Sequence, residues 1–137
     1  MCDSQKNIYQ ELYRRQIIKS QGKKYLVSSR QKGFEKETLA AGYLENMGCR
    51  ILERNYRNHW GEIDLIVKDG DFLVFTEVKY RSSVRSGFPE EAVDAKKRRR
   101  IRNSASLYLA GRSMDIPCRF DIISILGNEI RWIKDAF

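Results

Sequence analysis

One histidine, two prolines and three cysteines in 137 residues set the first limits on this chain. The cysteines Cys2, Cys49 and Cys118 are odd in number and show no Cys-x-x-Cys spacing. Neither a disulfide framework nor a zinc site is indicated, and reduced thiols of a cytoplasmic protein fit best. A single His59 excludes His-rich metal sites and would make any Ser-His-Asp triad hang on one loop residue. Apolar runs such as Leu73-Val74-Phe75 fall far short of the ~18 residues a membrane helix needs. Residues 1–20 scatter charge among apolar positions without an uninterrupted apolar stretch, so they do not read as a secretory signal.

What the chain has is charge, unevenly placed. With 42% hydrophobic and 11% aromatic residues it can build one core, and its length allows one domain with an appendage. Counted by segment, the net charge is +6 over residues 1–32, −3 over 33–80, +6 over 81–112 and −1 over 113–137. An acidic centre between two basic segments is the pattern expected of a polyanion-binding protein with a cation-dependent site.

Residues 1–32 read as a basic N-terminal extension, with an amphipathic helix from about Gln5 to Lys19 and a polar linker. From Gly33 the pattern tightens into a domain that runs to residue 137. Glu37, Ala40, Ala41 and Leu44 recur at i, i+3, i+4 and i+7, which predicts a helix stopped by Gly48. A short strand follows from Arg50 to Tyr56. Two apolar alternations, Glu62 to Lys68 and Phe72 to Arg81, flank Asp69-Gly70, a strong hairpin signal. Pro89-Glu90-Glu91 supplies the start of a second helix running to about Ala110, and Cys118 to Leu126 and Glu129 to Ile133 read as two last strands. The class is α/β, in the order α-β-β-β-α-β-β.

The hairpin carries the candidate chemistry. A loop at Asp69-Gly70 sets opposed residues to sum to 139; a loop one residue later makes the sum 141 and places Asp64 opposite Glu77. Either register gathers Glu62, Asp64, Glu77 and Lys79 on one face, close enough for Asp64 and Glu77 to share one hard cation. Ile66, Leu73 and Phe75 lie on that face too and need a cover. The first helix is the nearest candidate, and would bring Glu37 in as a fourth carboxylate. On spacing alone, the reading as a partly self-neutralised solvated edge, with Glu37 an ordinary first-turn acid, is the better supported of the two. The run from Lys96 to Arg102 puts six basic residues into seven positions, either a solvated face or a nucleic-acid contact. Lys97 lies four residues from both Val93 and Ile101, on the inward stripe. Phe34, Tyr43 and Tyr108 read as core rather than base-stacking platforms, His59-Trp60 as a loop pair, and Arg119 with Asp121 as a structural ion pair.

Gly61-Glu62-Ile63-Asp64-Leu65-Ile66, followed by Glu77-Val78-Lys79 within Val74 to Arg81, resembles the Asp and ExK parts of the PD-(D/E)xK nuclease superfamily. The ordered series Gly33, Glu37, Asn55-Tyr56-Arg57, these two segments, Pro89 to Val93, Lys97, Ala105, Arg119-Phe120-Asp121 and Asp135-Ala136-Phe137 resembles the YraN-like family of bacterial proteins, itself similar to archaeal Holliday junction resolvases. It departs at Thr76, where the family carries an apolar residue. The resemblance implies a restriction-endonuclease-like core, a mixed central sheet flanked by helices, over 33–137. It implies a metal-dependent endonuclease acting on DNA, branched or structured DNA included, with a non-catalytic nucleic-acid-binding protein of the same fold as the alternative. It assigns Asp64, Glu77 and the Val78 carbonyl as ligands of Mg²⁺ or Mn²⁺. Lys79 would orient the attacking water, and Glu37 would hold a water at the ion or a second ion. Glu62 is left as an outer-sphere group or a neighbour. Arg81, Arg85, Lys96, Lys97, Arg98, Arg99 and Arg100 become candidates for DNA contact. DNA is the implied partner, with no membrane and with a homodimer left open.

Overall fold

Helix α1 (Ser29–Asn46) opens the structure, a computed structural model that describes residues 29–137. The helix expected between Gln5 and Lys19, and Cys2, lie outside the described residues. α1 starts ahead of residue 33 and stops where the sequence requires it. Gly48 adopts φ +94, its N–H donates to the Glu45 carbonyl, and the Cys49 N–H reaches back to the Leu44 carbonyl at 3.0 Å. This is a Schellman ending, with Cys49 and Leu44 buried in one cluster as its hydrophobic contact.

Five strands follow in one sheet of order β1-β2-β3-β4-β5: β1 (Arg50–Asn58), β2 (Gly61–Asp69), β3 (Phe72–Arg81), β4 (Cys118–Leu126) and β5 (Glu129–Ile133). Only β3 and β4 run parallel, so the sheet is mixed. Such a pair needs a crossover, and residues 82–117 provide it with two 3₁₀ turns and helix α2 (Ala95–Arg112). The architecture is α/β with a restriction-endonuclease-like core. The second helix starts later than Pro89 suggests, because Pro89–Ala92 closes only a 3₁₀ turn. Asp94 then caps α2, its Oδ1 accepting the Lys97 N–H at 2.8 Å. Asp94→Ala should cost about 1 kcal/mol in denaturant unfolding.

The hairpin takes the later of the two registers. Its loop is Gly70-Asp71, with Gly70 at φ +57 in the first loop position, and Leu65 pairs Thr76, a sum of 141. The faces are covered differently from expectation. Helix α1 packs Ala40, Ala41, Tyr43 and Leu44 on Leu65, Val67, Val74, Ile123 and Ile125. Helix α2 instead covers Ile66, Leu73 and Phe75, with Ile101, Ala105 and Tyr108. As the crossover between β3 and β4, α2 lies across one face of the sheet, and its apolar stripe meets Ile63 and Ile66 of β2 as well as Leu73 and Phe75 of β3 and Ile122 of β4.

Tyr43 and Tyr108 are core, as expected, whereas Phe34 is exposed, with the Arg54 guanidinium over its ring. The Arg119–Asp121 pair is structural: buried Asp121 accepts from Arg119 twice at 2.8 Å, from Trp132 Nε1 and from the Asp135 N–H. Thr76 is fully buried and its hydroxyl has no partner among the described residues. Thr76→Val keeps the shape and removes a dehydrated hydroxyl, so a gain of about 1 kcal/mol is expected in chemical denaturation.

Candidate active site

The site forms where β2 and β3 part. Their ladder ends at Leu65 with Thr76, and one step on the Asp64 carboxylate takes the place of a backbone partner: its Oδ2 accepts the Val78 N–H at 2.8 Å. In an extended strand the C=O of a residue leaves on the same side as its N–H, so the Val78 carbonyl also faces this gap.

The cause of the parting is visible on β1. Asn55, set between the pairs Arg54–Leu65 and Tyr56–Ile63, lies opposite Asp64 and has φ +52, a left-handed conformation Asn tolerates better than most residues. β1 also carries an extra residue between Ile51 and Glu53. Across this irregularity β2 changes faces: Leu65 packs under α1, while Ile63, two residues away, packs under α2. Strict alternation forbids that. The turn of the strand brings Asp64 within reach of both helices.

From α1 comes Glu37. Carboxylate oxygens of Glu37, Glu62 and Asp64 lie within 4.8 Å of one another. Glu62 also pairs with Arg57 directly across β1 and β2, at 3.2 Å. On the other side stands Glu77, 3% exposed, with Oε1 held by Lys79 of β3 and Lys97 of α2, both at 3.3 Å. Its second oxygen, Oε2, is buried with no partner among the described residues.

The electrostatics follow. Asp64 is pushed up to about 8, first by burial and then by Glu77 and Glu37, against the Val78 N–H and Lys97. Glu37 is raised as well, by burial and by Glu62, while side-chain hydrogen bonds with Asn55 and Asp64 and the charge of Arg54 hold it down. Four carboxylates thus face Lys79, Lys97 and Arg57. Carboxylates this close repel one another unless a proton or an oxygen-seeking divalent cation sits among them. The dehydrated, unpartnered Glu77 Oε2 beside Asp64 is the observation that makes the residues present fit such an ion.

Glu37, Asp64, Glu77 and Lys79 are therefore brought together, and Glu62 joins the carboxylate cluster. Lys97 reaches the site by bonding Glu77. The other basic candidates divide. Lys96, Arg99 and Arg100 line an open groove of about 590 Å³ with Asn58, His59, Trp60, Gly61 and Asn103. Arg98 turns away from it, Nε donating to the Val93 carbonyl and the guanidinium over Phe137. Arg81 ends β3 and Arg85 lies in the exposed 3₁₀ turn Val84–Ser86 that follows, neither lining the groove. Sequence reasoning placed Asn55 in the series that carries the resemblance but gave it no role, and it missed Asp94, whose signal was an N-cap residue three before Lys97.

A mixed sheet whose hairpin brings Asp64 to Glu77-Val78-Lys79, with a glutamate from the preceding helix, defines the PD-(D/E)xK nuclease-like class. The profile described as "Uncharacterised protein family UPF0102" matches residues 36–125, and the chain belongs to that family, the YraN-like group. It is similar to a UPF0102 protein of Lachnoclostridium phytofermentans, 49% identical over 113 residues, 81% of this chain and 96% of that protein. One from Nitrosomonas europaea is 45% identical over 113 residues, 80% and 96% of the two chains. One from Persephonella marina is 49% identical over 107 residues, 77% and 92%. Among the described residues no helix is long and apolar enough to cross a membrane.

Proposed function

We propose that this protein is a divalent-cation-dependent endonuclease that hydrolyses phosphodiester bonds in DNA, branched or structured DNA included. The observation that carries the reading is the buried, half-unpartnered Glu77 carboxylate set beside Asp64 and between two lysines. A protein that only bound nucleic acid would gain nothing from acids that repel phosphate.

Asp64, Glu77 and the Val78 carbonyl would hold Mg²⁺ or Mn²⁺, with Glu37 and Glu62 in the same carboxylate cluster as Asp64. When bound, such an ion polarises the phosphoryl group and favours the ionised form of the attacking water. Lys79, fixed by its bond to Glu77, holds and orients that water. Lys97 bonds the same oxygen and presents its remaining N–H groups to the phosphate. Asp94 fixes the first turn of α2 and with it the place of Lys97.

The test is direct: purified protein against linear, nicked, flap and four-way DNA, with Mg²⁺, Mn²⁺ or chelator. Cutting in either ion and none in chelator is expected; binding without cutting on every substrate would leave the non-catalytic reading. The basic helix makes its own prediction. Replacing Lys96, Arg99 and Arg100 by Gln should flatten the dependence of log affinity on log salt by roughly 0.9 for each phosphate no longer neutralised, read by titration at several salt concentrations.

A further inference from the structure

Helical spacing splits the basic run of α2 into separate tasks. Lys97 turns inward to Glu77, while Arg98 and Arg102, one turn apart, lie over Phe137 and Phe120 near the C-terminus. Lys96, Arg99, Arg100 and Asn103 share the remaining face at i, i+3, i+4 and i+7, and form one wall of the groove. Among the described residues none of the three cations is paired and no carboxylate lines the groove.

The opposite wall is the β1–β2 turn, Asn58-His59-Trp60-Gly61. It is held firmly. Asn58 Oδ1 accepts both the Trp60 N–H at 2.9 Å and the Ser104 hydroxyl of α2 at 3.0 Å, which ties the turn to the helix across the groove. Trp60 remains 42% exposed, its ring 5.0 Å from that of His59. A large aromatic surface left in water, fixed on a braced turn and lining the same groove as three cations unpaired among the described residues, is what a nucleotide recognises: a π-face for the base and cations for the phosphates. Paired bases in a duplex offer no such face. An acidic peptide would use the cations and leave Trp60 idle.

We infer that this groove binds an unpaired nucleotide of single-stranded DNA, with the base on Trp60 and the flanking phosphates on Lys96, Arg99 and Arg100. Its distance from the candidate site is short, because Gly61 and Asp64 are three residues apart on β2, roughly 10 Å at ~3.3 Å per residue. Resting on the endonuclease reading, the inference names the preferred substrate: duplex that carries a single-stranded arm or gap, over continuous duplex and over a fully paired four-way junction.

The experiment measures binding in chelator, so that cleavage plays no part. Full-length protein is titrated with oligo(dT) of about 12 nucleotides, with blunt duplex and with a flapped duplex, followed by tryptophan emission and anisotropy. Oligo(dT) should quench the emission of the wild type and not that of Trp60→Phe beyond the residual Trp132 signal. Trp60→Ala should weaken flap and oligo(dT) binding about 5–150-fold, the range for removal of one stack, and blunt duplex by less than about twofold. Arg99→Gln with Arg100→Gln should weaken all three. Equal loss on duplex and flap in Trp60→Ala, no loss on any DNA, or competition by polyglutamate as strong as by oligo(dT) overturns the inference. A wild type that binds oligo(dT) through Trp60 but cuts nothing with Mn²⁺ keeps the groove and ends the nuclease reading. Cutting with a silent Trp60→Ala does the reverse.

Discussion

Asp64→Asn, Glu77→Gln and Lys79→Ala are each expected to lower divalent-ion-dependent DNA cleavage by about 10²–10⁴-fold, the range typical for removing a group that handles the reacting proton or its charge. The three act on different parts of one arrangement. Asp64→Asn keeps an oxygen to accept the Val78 N–H, so the strand gap survives while a ligand charge is removed. Glu77→Gln neutralises the one carboxylate shared by Lys79 and Lys97. Lys79→Ala leaves Glu77 with Lys97 alone and the attacking water without its holder. Because the residues act together, a double variant should fall little below the worse single one. Circular dichroism and thermal melting separate loss of chemistry from loss of fold. Cleavage that survives all three changes, or that persists in chelator, removes the assignment.

The order of elements and the ends of β4 and β5 were legible because each rests on local chemistry: Gly48 as a helix stop, Asp69-Gly70 as a hairpin signal, and the two apolar stretches Cys118 to Leu126 and Glu129 to Ile133 as strands. The hairpin register was legible only to within one residue, since Asp69-Gly70 and Gly70-Asp71 are both acceptable loops, and a single step decides whether Asp64 meets Glu77. What local rules could not show was which helix covers which face. Both helices have an apolar stripe, and the choice depends on the crossover between the parallel strands β3 and β4, a long-range property. The site itself broke the rule used to find it. Period-two alternation places Asp64 firmly on one face, yet Asn55 at φ +52 and the extra residue in β1 turn β2 so that Asp64 stands between Glu37 of α1 and Glu77. Sequence signals and local geometry disagree there because a left-handed Asn55 and an extra residue in β1 break the period-two rule.

The same crowding makes Asp64 a reporter of the site. Its carboxyl is pushed up to about 8 in the folded protein from an ordinary 3.8, chiefly by burial and the neighbouring Glu77. Below pH 4 both folded and unfolded chains hold the proton and the group has no effect. As pH rises from 4 to 8 the unfolded chain releases it and the folded chain does not, so the metal-free protein should lose stability across that window and level off above 8. Other groups act in the opposite sense at the acid end. Asp69, held below its usual range by its hydrogen bond to Arg119, adds stability that is lost as pH falls through its folded value. The difference between Asp64→Asn and wild type isolates the site: near zero at pH 4, then growing to on the order of a few kcal/mol in favour of the variant by pH 8. A divalent cation binds the ionised carboxylate and so must displace this proton. Its apparent affinity should therefore rise about tenfold per pH unit up to 8, and millimolar Mg²⁺ or Mn²⁺ should raise the melting temperature of wild type more at pH 8 than at pH 6. Asp64→Asn should show neither effect. If the two proteins differ by the same amount at every pH and the cations move neither melting curve, Asp64 serves only to close the gap between β2 and β3, and the ion site is absent.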